Sequence, residues 1–144
     1  MDRYLEFILN HYWLSIALAV VTFLLIQEFF DTTFKKFSSV SPLEAVTKMN
    51  DGNTVVVDVR EPDEYKVSHV VDAINAPLSK LNEQLVKLEA HKKGSILLAC
   101  QNGTRSAAAA KILTKAGFEQ VFVITGGMQA WEVDYKLPIR ISKK

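Results

Sequence analysis

The sequence is poor in cysteine. Cys100 is the single cysteine among 144 residues, so no disulfide can form within the chain and a disulfide-stapled secreted scaffold is excluded. A metal site built on several cysteines is excluded by the same count. The three histidines are scattered and show no metal-ligand spacing. We therefore expect no metal and no cofactor, and the role of the one cysteine must follow from the residues around it.

Charged residues are missing from one long stretch. Residues 7–27 contain no Asp, Glu, Lys or Arg. A helix of that length would be about 31 Å long at ~1.5 Å per residue, close to the ~30 Å hydrocarbon core of a bilayer. Aromatic residues flank the apolar centre on both sides, as they do at membrane interfaces: Tyr12, Trp13, Phe29, Phe30 and Phe34.

A cleaved signal peptide and a buried core helix are the two alternatives to a membrane span for this stretch. A signal peptide would have a positively charged start and a small-residue cleavage site, whereas Arg3 is offset by Asp2 and Glu6 and no such site follows. A buried core helix would be unusually long and apolar on every face for the N-terminus of a domain. We interpret residues 1–30 as one uncleaved transmembrane anchor helix.

The overall charge is almost balanced. A formal net charge of +1 gives no reason to expect nucleic-acid binding. Around the apolar stretch, Lys35 and Lys36 on one side outweigh Arg3 on the other. Because cytoplasmic flanks carry more Lys and Arg, we expect a single-pass protein of the cell inner membrane whose soluble domain lies in the cytoplasm.

Strand and helix patterns alternate after the anchor. We interpret residues 31–39 as a juxtamembrane linker and residues 40–140 as one α/β domain. Short apolar runs without polar alternation predict buried parallel strands, and helical spacing separates them. The predicted strands are residues 54–60, 73–77, 95–100 and 120–127, and the predicted helices begin at Ser41, Leu78, Ser106 and Met128. Ligands of such sheets bind at the carboxyl ends of the strands.

Cys100 lies at the carboxyl end of one predicted strand. Gly103 permits a tight turn, and a helix beginning near Ser106 directs its positive end at the loop. Together with Arg105, this cradle would favour the cysteine as thiolate, its nucleophilic form, and would suit an oxyanion such as thiosulfate. The competing interpretation is a buried, inert cysteine with a solvated arginine nearby.

Four motifs in order give the chain a resemblance to a known family. They are "DVREPDEY", "H-x-x-x-A-I-N", "C-x-x-G-x-R-S" and "GG-x-x-x-W". Together they resemble the rhodanese-like sulfurtransferase domain, from about residue 40 to residue 139. The resemblance implies a three-layer domain with a five-stranded parallel sheet and a cysteine that carries sulfane sulfur as a persulfide.

The same resemblance implies roles for individual residues. Cys100 would be the nucleophile, Arg60 and the loop residues would bind substrate, and Asp58 and Ser106 would give structural support. The implied loop residues are Gln101, Asn102, Gly103, Thr104 and Arg105. His69 matches a family position, but we interpret it as packed and hydrogen-bonded. The sequence departs from the family at Ser68, usually glycine, and at Val71 and Asp72, usually a Pro-Gly pair.

Loop length separates two kinds of chemistry in related folds. The spacing from Cys100 to Arg105 is C-x4-R, whereas phosphatases and arsenate reductases of related architecture have C-x5-R. The longer loop fits a tetrahedral phosphate, and the shorter loop fits a persulfide sulfur. The spacing therefore favours sulfur transfer over phosphatase chemistry.

The sequence thus predicts a membrane-anchored sulfurtransferase. It would move sulfane sulfur from a small donor such as thiosulfate to an external thiol or protein acceptor, with other membrane proteins among its expected partners. Two alternatives stay open at this point. One is a membrane-bound binding or scaffold module with little turnover, and the other is a redox sensor based on Cys100.

Overall fold

Two helices form the N-terminal segment in a computed structural model of the chain, which describes residues 1–33 and 36–142. They are α1 (Asp2–Asn10) and α2 (Tyr12–Thr33). Within α2, the 19-residue window Tyr12–Phe30 has a mean hydropathy of 2.0 and none of it is buried inside the structure. By length and composition, α2 is therefore able to cross a membrane.

The N-terminal segment is broken at His11, where the sequence predicts one continuous anchor helix. His11 has φ −127° and ψ 42°, outside the helical region. Residues 7–10 of the uncharged stretch therefore belong to α1. At helical spacing, the polar residues Asp2, Arg3, Glu6 and Asn10 share one face of α1, and its apolar residues occupy the rest. Phe34 and Lys35, used above for the membrane border and the charge bias, lie outside the described residues.

Residues 36–144 are a separate compact unit. Its strands and helices alternate along the chain as follows: β1 (Ser38–Val40), α3 (Pro42–Asn50), β2 (Thr54–Asp58), α4 (Pro62–Val67), β3 (His69–Val70), β4 (Ile74–Asn75), a 3-10 turn (Leu78–Lys80), α5 (Leu81–Leu88), a second 3-10 turn (Glu89–His91), β5 (Ser95–Ala99), α6 (Thr104–Lys115), β6 (Gln120–Ile124), the short α7 (Gly127–Gln129), a π-helical turn (Ala130–Asp134) and β7 (Ile139–Arg140).

Five of these strands form one sheet in the order β1-β6-β5-β2-β4, and every pairing in it is parallel. The predicted α/β fold with a five-stranded parallel sheet is therefore confirmed. A short antiparallel pair, β3 with β7, forms a second sheet. The edge strand β1 lies in the segment that the sequence assigns to the linker. Helix α6 begins two residues earlier than predicted because Gly103, with φ 100°, serves as its N-cap.

Both faces of the sheet are buried, which explains the unbroken apolar runs. In β5 and the residue after it, Ile96, Leu98 and Cys100 belong to one hydrophobic cluster, with side chains of α5 and α6. Leu97 and Ala99 belong to the other, with side chains of α3 and of the segment after β6. Successive residues of a strand point to opposite faces, so a strand covered on both faces is apolar throughout.

Candidate active site around Cys100

The carboxyl ends of β2 and β5 bring the predicted site residues together. These strands pair in parallel register, with Asp58 opposite Ala99. Cys100 directly follows Ala99, so the segment after β2, with Asp58 and Arg60, lies next to the cysteine loop. This arrangement is the one expected for functional residues of a parallel sheet.

The cysteine sulfur lies inside the turn that starts α6. Cys100 Sγ accepts a hydrogen bond of 2.9 Å from the Gly103 backbone N–H. The turn requires the left-handed conformation of Gly103, which residues with a Cβ rarely adopt. Helix α6 starts at Thr104, so its unpaired amides and the positive end of its dipole are directed at the loop. The surroundings of the sulfur therefore stabilise negative charge.

The cysteine loop is held by the segment that follows β6. Met128 N–H donates to the Cys100 carbonyl at 2.7 Å, and Gln129 N–H donates to the Gln101 carbonyl at 3.2 Å. Gly127 makes this approach feasible, because a Cβ there would meet the Cys100 carbonyl oxygen and would lie 2.8 Å from the Gln101 carbonyl carbon. Its φ of +59° also favours glycine. Gly127, part of the "GG-x-x-x-W" motif, thus has a defined role in fixing the loop.

Arg60 forms a buried ion pair with Asp58. Its Nη2 lies 2.7 Å from Asp58 Oδ2, and the two side chains are 4% and 0% exposed. Arg60 also donates from Nη2 to the Ser68 carbonyl and from Nη1 to Gln101 Oε1 at 3.4 Å. Asp58 thus holds the Arg60 side chain, and Arg60 links β2 to the cysteine loop.

Arg105 forms a second pair, with Glu64 of α4. The arginine donates from Nη1 to Oε2 at 2.7 Å and from Nη2 to Oε1 at 2.8 Å. About a third of each side chain is exposed (34% and 37%). The hydrogen bond from Arg105 is the main reason why the pKa of Glu64 falls to about 2, and the same bond raises the pKa of Arg105.

The other predicted residues lie at different depths. Gln101, Asn102 and Thr104 are exposed, and Asn102 Oδ1 accepts from the Thr104 N–H at 3.2 Å. Ser106 is fully buried, and its Oγ has no hydrogen-bond partner within the described part of the chain. The structure does not test whether Arg60 and residues 101–105 bind substrate, or whether Asp58 and Ser106 give structural support, so those roles stay predictions.

The sequence analysis missed two residues that shape the site. Glu64, which stands within the "DVREPDEY" motif, accepts two hydrogen bonds from the Arg105 guanidinium. Asn75, the last residue of the histidine motif, donates from Nδ2 to the carbonyls of Asp58 and Arg60 at 3.1 and 2.9 Å and so holds the segment after β2. Both residues stand in motifs that are visible in the sequence, but their contacts are seen only in the folded chain.

The histidine that begins this motif lies in the interior of the domain. His69 is buried, its Nδ1 lies 2.8 Å from the Tyr65 carbonyl and its ring stacks on the Tyr65 ring with centroids 3.8 Å apart. The packed, hydrogen-bonded interpretation of His69 agrees with this arrangement. Asp72, at a position where the family usually has glycine, has a φ of 61°. Aspartate tolerates this left-handed conformation better than most residues do.

Comparisons with known proteins identify the family. The model for the rhodanese-like domain matches residues 41–134. The uncharacterized protein YibN of Escherichia coli K12 is 34% identical over 137 residues, covering 91% of this chain and 92% of YibN. Thiosulfate sulfurtransferase GlpE of Coxiella burnetii is 30% identical over 99 residues, covering 69% of this chain and 91% of GlpE.

A solved structure gives the same answer as the sequence relatives. The crystal structure of a rhodanese-related protein from Thermoplasma volcanium superposes with a TM-score of 0.64 at 31% identity, covering 74% of this chain and all of that one. The family model and the solved structure agree. This chain belongs to the rhodanese-like domain family.

Proposed function

We propose that the chain is a membrane-anchored sulfurtransferase that carries sulfane sulfur on Cys100. The observation that carries this proposal is the 2.9 Å hydrogen bond from the Gly103 N–H to Cys100 Sγ, in a loop that lies at the positive end of α6. The same donors that stabilise a thiolate would stabilise a terminal persulfide sulfur. The relative GlpE is named thiosulfate sulfurtransferase, which agrees with this chemistry.

The first half-reaction forms a persulfide. The Cys100 thiolate attacks the outer sulfur of thiosulfate, the S–S bond of thiosulfate breaks, and sulfite leaves with the electron pair. In the second half-reaction, a nucleophile attacks the outer sulfur of the persulfide and releases the Cys100 thiolate. Because the chain has one cysteine, the acceptor is external: a small thiol, a partner protein, or cyanide in an assay.

Membrane anchoring is part of the proposal. It is supported by the apolar window of α2. We place the domain on the cytoplasmic side of the inner membrane. Residues 35–144 carry 16 Lys and Arg against 12 Asp and Glu. That excess favours contact with an anionic leaflet.

Cys100 is 0% exposed in the resting chain, and both sulfur transfer and redox sensing require a reagent to reach its sulfur. The redox-sensor alternative predicts oxidation of Cys100 without formation of thiocyanate. The scaffold alternative predicts a folded protein without turnover, and the experiment below separates it from an enzyme.

The test of the catalytic proposal is a persulfide measurement. Full-length protein treated with thiosulfate should gain about 32 Da, the mass of one sulfur atom, on the peptide containing Cys100. Cyanide should remove that mass and form thiocyanate. Cys100→Ser should show neither, with an unchanged circular dichroism spectrum. A folded wild-type protein that forms no adduct and no thiocyanate would support the scaffold alternative instead.

The test of the anchor compares two forms of the chain. The full-length protein should stay in the membrane fraction after carbonate extraction, and a fragment beginning at residue 36 should be soluble and should retain thiosulfate turnover. Protease added to spheroplasts should spare the domain until the inner membrane is broken. Cleavage in intact spheroplasts would place the domain outside the cytoplasm.

A further inference from the structure

Both arginines of the candidate site are already paired with carboxylates. Asp58 binds the Nε and Nη2 groups of Arg60. Glu64 binds both outer nitrogens of Arg105 in a fork of two short hydrogen bonds. Each pair is neutral, so these four side chains supply no net positive charge to the cysteine loop.

The two pairs differ in how readily an incoming anion could use them. Arg60 is buried with its partner, while Arg105 and Glu64 are each about one third exposed. Arg105 is therefore the arginine that a substrate could reach. Its fork of donors matches an oxyanion, but the carboxylate of Glu64 already fills that fork.

Glu64 stays ionised under all ordinary assay conditions, because its pKa lies at about 2. A thiosulfate dianion approaching Arg105 must displace this carboxylate or approach alongside its negative charge. Like charges a few ångströms apart are costly, and the cost grows where water is excluded. A donor with a smaller negative charge meets less of this repulsion.

Building on the proposed sulfurtransferase function, we propose that Glu64 determines donor specificity. By occupying both outer nitrogens of Arg105, it disfavours dianionic donors such as thiosulfate. It favours organic sulfane-sulfur donors with at most one negative charge, such as alkyl persulfides and thiosulfonates. Glu64 acts through Arg105 and is a specificity-determining residue, with no part in the bond-breaking step.

Methanethiosulfonate and thiosulfate form a matched pair of probes. The first carries a methyl group in place of one oxygen and has one negative charge fewer. In both, the Cys100 thiolate attacks the outer sulfur, the S–S bond breaks, and methanesulfinate or sulfite leaves with the electron pair. Both reactions leave the same persulfide on Cys100, so the ratio of their kcat/KM values reports donor selection alone.

The experiment measures this ratio in the full-length protein in detergent, with cyanide as acceptor. The wild-type protein should prefer methanethiosulfonate. Glu64→Gln should raise kcat/KM for thiosulfate by about tenfold, equivalent to about 1.4 kcal/mol, and should change the value for methanethiosulfonate by less than about threefold. The glutamine retains an acceptor for the Glu61 N–H that Glu64 now binds at 3.1 Å. A wild-type preference for thiosulfate, or an unchanged ratio in Glu64→Gln, would overturn the proposal.

Asp63→Asn is the matched control. It removes the same charge one residue earlier in α4, where the Asp63 side chain is 98% exposed and its ion pair is a distant one with Lys66, at 3.8 Å. The donor ratio should stay within about twofold of the wild-type value, since exposed charges are strongly screened. An equal shift in both variants would show a general charge effect and would contradict a specific role for Glu64.

A binding measurement decides the proposal without turnover. In calorimetric titrations, thiosulfate should bind about tenfold more tightly to Cys100→Ser/Glu64→Gln than to Cys100→Ser. Equal dissociation constants would overturn the role of Glu64. If the wild-type protein uses neither donor, the proposed enzymatic function fails, and the two dissociation constants still decide whether Glu64 keeps anions from Arg105.

Discussion

An arginine–carboxylate ion pair lies on each side of the cysteine loop, and the two pairs differ in burial. On the β2 side, Arg60 and Asp58 are two residues apart and almost fully buried. On the α4 side, Arg105 and Glu64 are 41 residues apart and partly exposed. A buried pair has no solvent to replace a lost partner, whereas an exposed pair exchanges partners at low cost. The first pair therefore maintains the shape of the site, and the second remains open to competition by a ligand.

The largest effect is expected from breaking the buried pair. Arg60→Ala should lower the free energy of unfolding of the 36–144 fragment by about 3–5 kcal/mol, because it leaves Asp58 charged and buried without its partner. Urea unfolding followed by circular dichroism measures this. Arg140→Ala is the control, since its pair with Asp72 is 60% and 81% exposed, and it should cost less than about 1 kcal/mol. Equal losses in the two variants would contradict the contrast between buried and exposed pairs.

An intermediate effect is expected from removing the exposed arginine. Arg105→Ala should change stability by less than about 1 kcal/mol, yet it should lower kcat/KM for thiosulfate by at least about tenfold. The reason is that it removes a charge-assisted donor and leaves the Glu64 carboxylate unpaired beside the loop. Steady-state kinetics with cyanide as acceptor measures the change.

The double variant sharpens that result. Arg105→Ala/Glu64→Gln should recover part of the lost thiosulfate activity, because the repelling carboxylate is gone. Single and double variants with identical kcat/KM would show that Glu64 exerts no repulsion on the donor.

The smallest effect concerns pH. Since pairing lowers the pKa of Glu64 from 4.5 to about 2, its contribution to stability is fully present above about pH 5 and is lost as the pH falls towards 2. The free energy of unfolding of the wild-type fragment should exceed that of Glu64→Gln by at most about 1 kcal/mol at pH 7, because the pair is partly exposed. The difference should shrink at pH 3. A difference in the free energy of unfolding that does not change with pH would show that side-chain shape and packing cause it, and not the charge of Glu64.

Much of the fold was predictable because its signals are local. Unbroken apolar runs marked β2, β5 and β6. The helix predicted to begin at Ser41 is α3, which starts with a capping box formed by Ser41 and Glu44. The strand β1 gave no such signal: it has three residues, two of them serines, and it exists only because it pairs with β6. The break at His11 was missed because apolar character continues through it.

The candidate site also has features that could be predicted from the sequence and features that could not. The position of Cys100 at a strand end and the turn at Gly103 could be predicted, because both depend on neighbouring residues. The bond between Glu64 and Arg105 could not, because it depends on where α4 lies relative to α6. Gly127 belongs to the "GG-x-x-x-W" motif, but its close approach to the Cys100 carbonyl depends on the pairing of β5 with β6.

Two backbone amides that take no part in the reaction report on the attachment of the cysteine loop to the segment after β6. The amide hydrogens of Met128 and Gln129 are bonded to the carbonyls of Cys100 and Gln101, so they can exchange with deuterium only when the loop separates from that segment. Their exchange rates measure the frequency of that opening in the resting protein. The same two amides, followed after sulfur loading, reveal whether an added sulfur atom loosens or tightens the backbone around it.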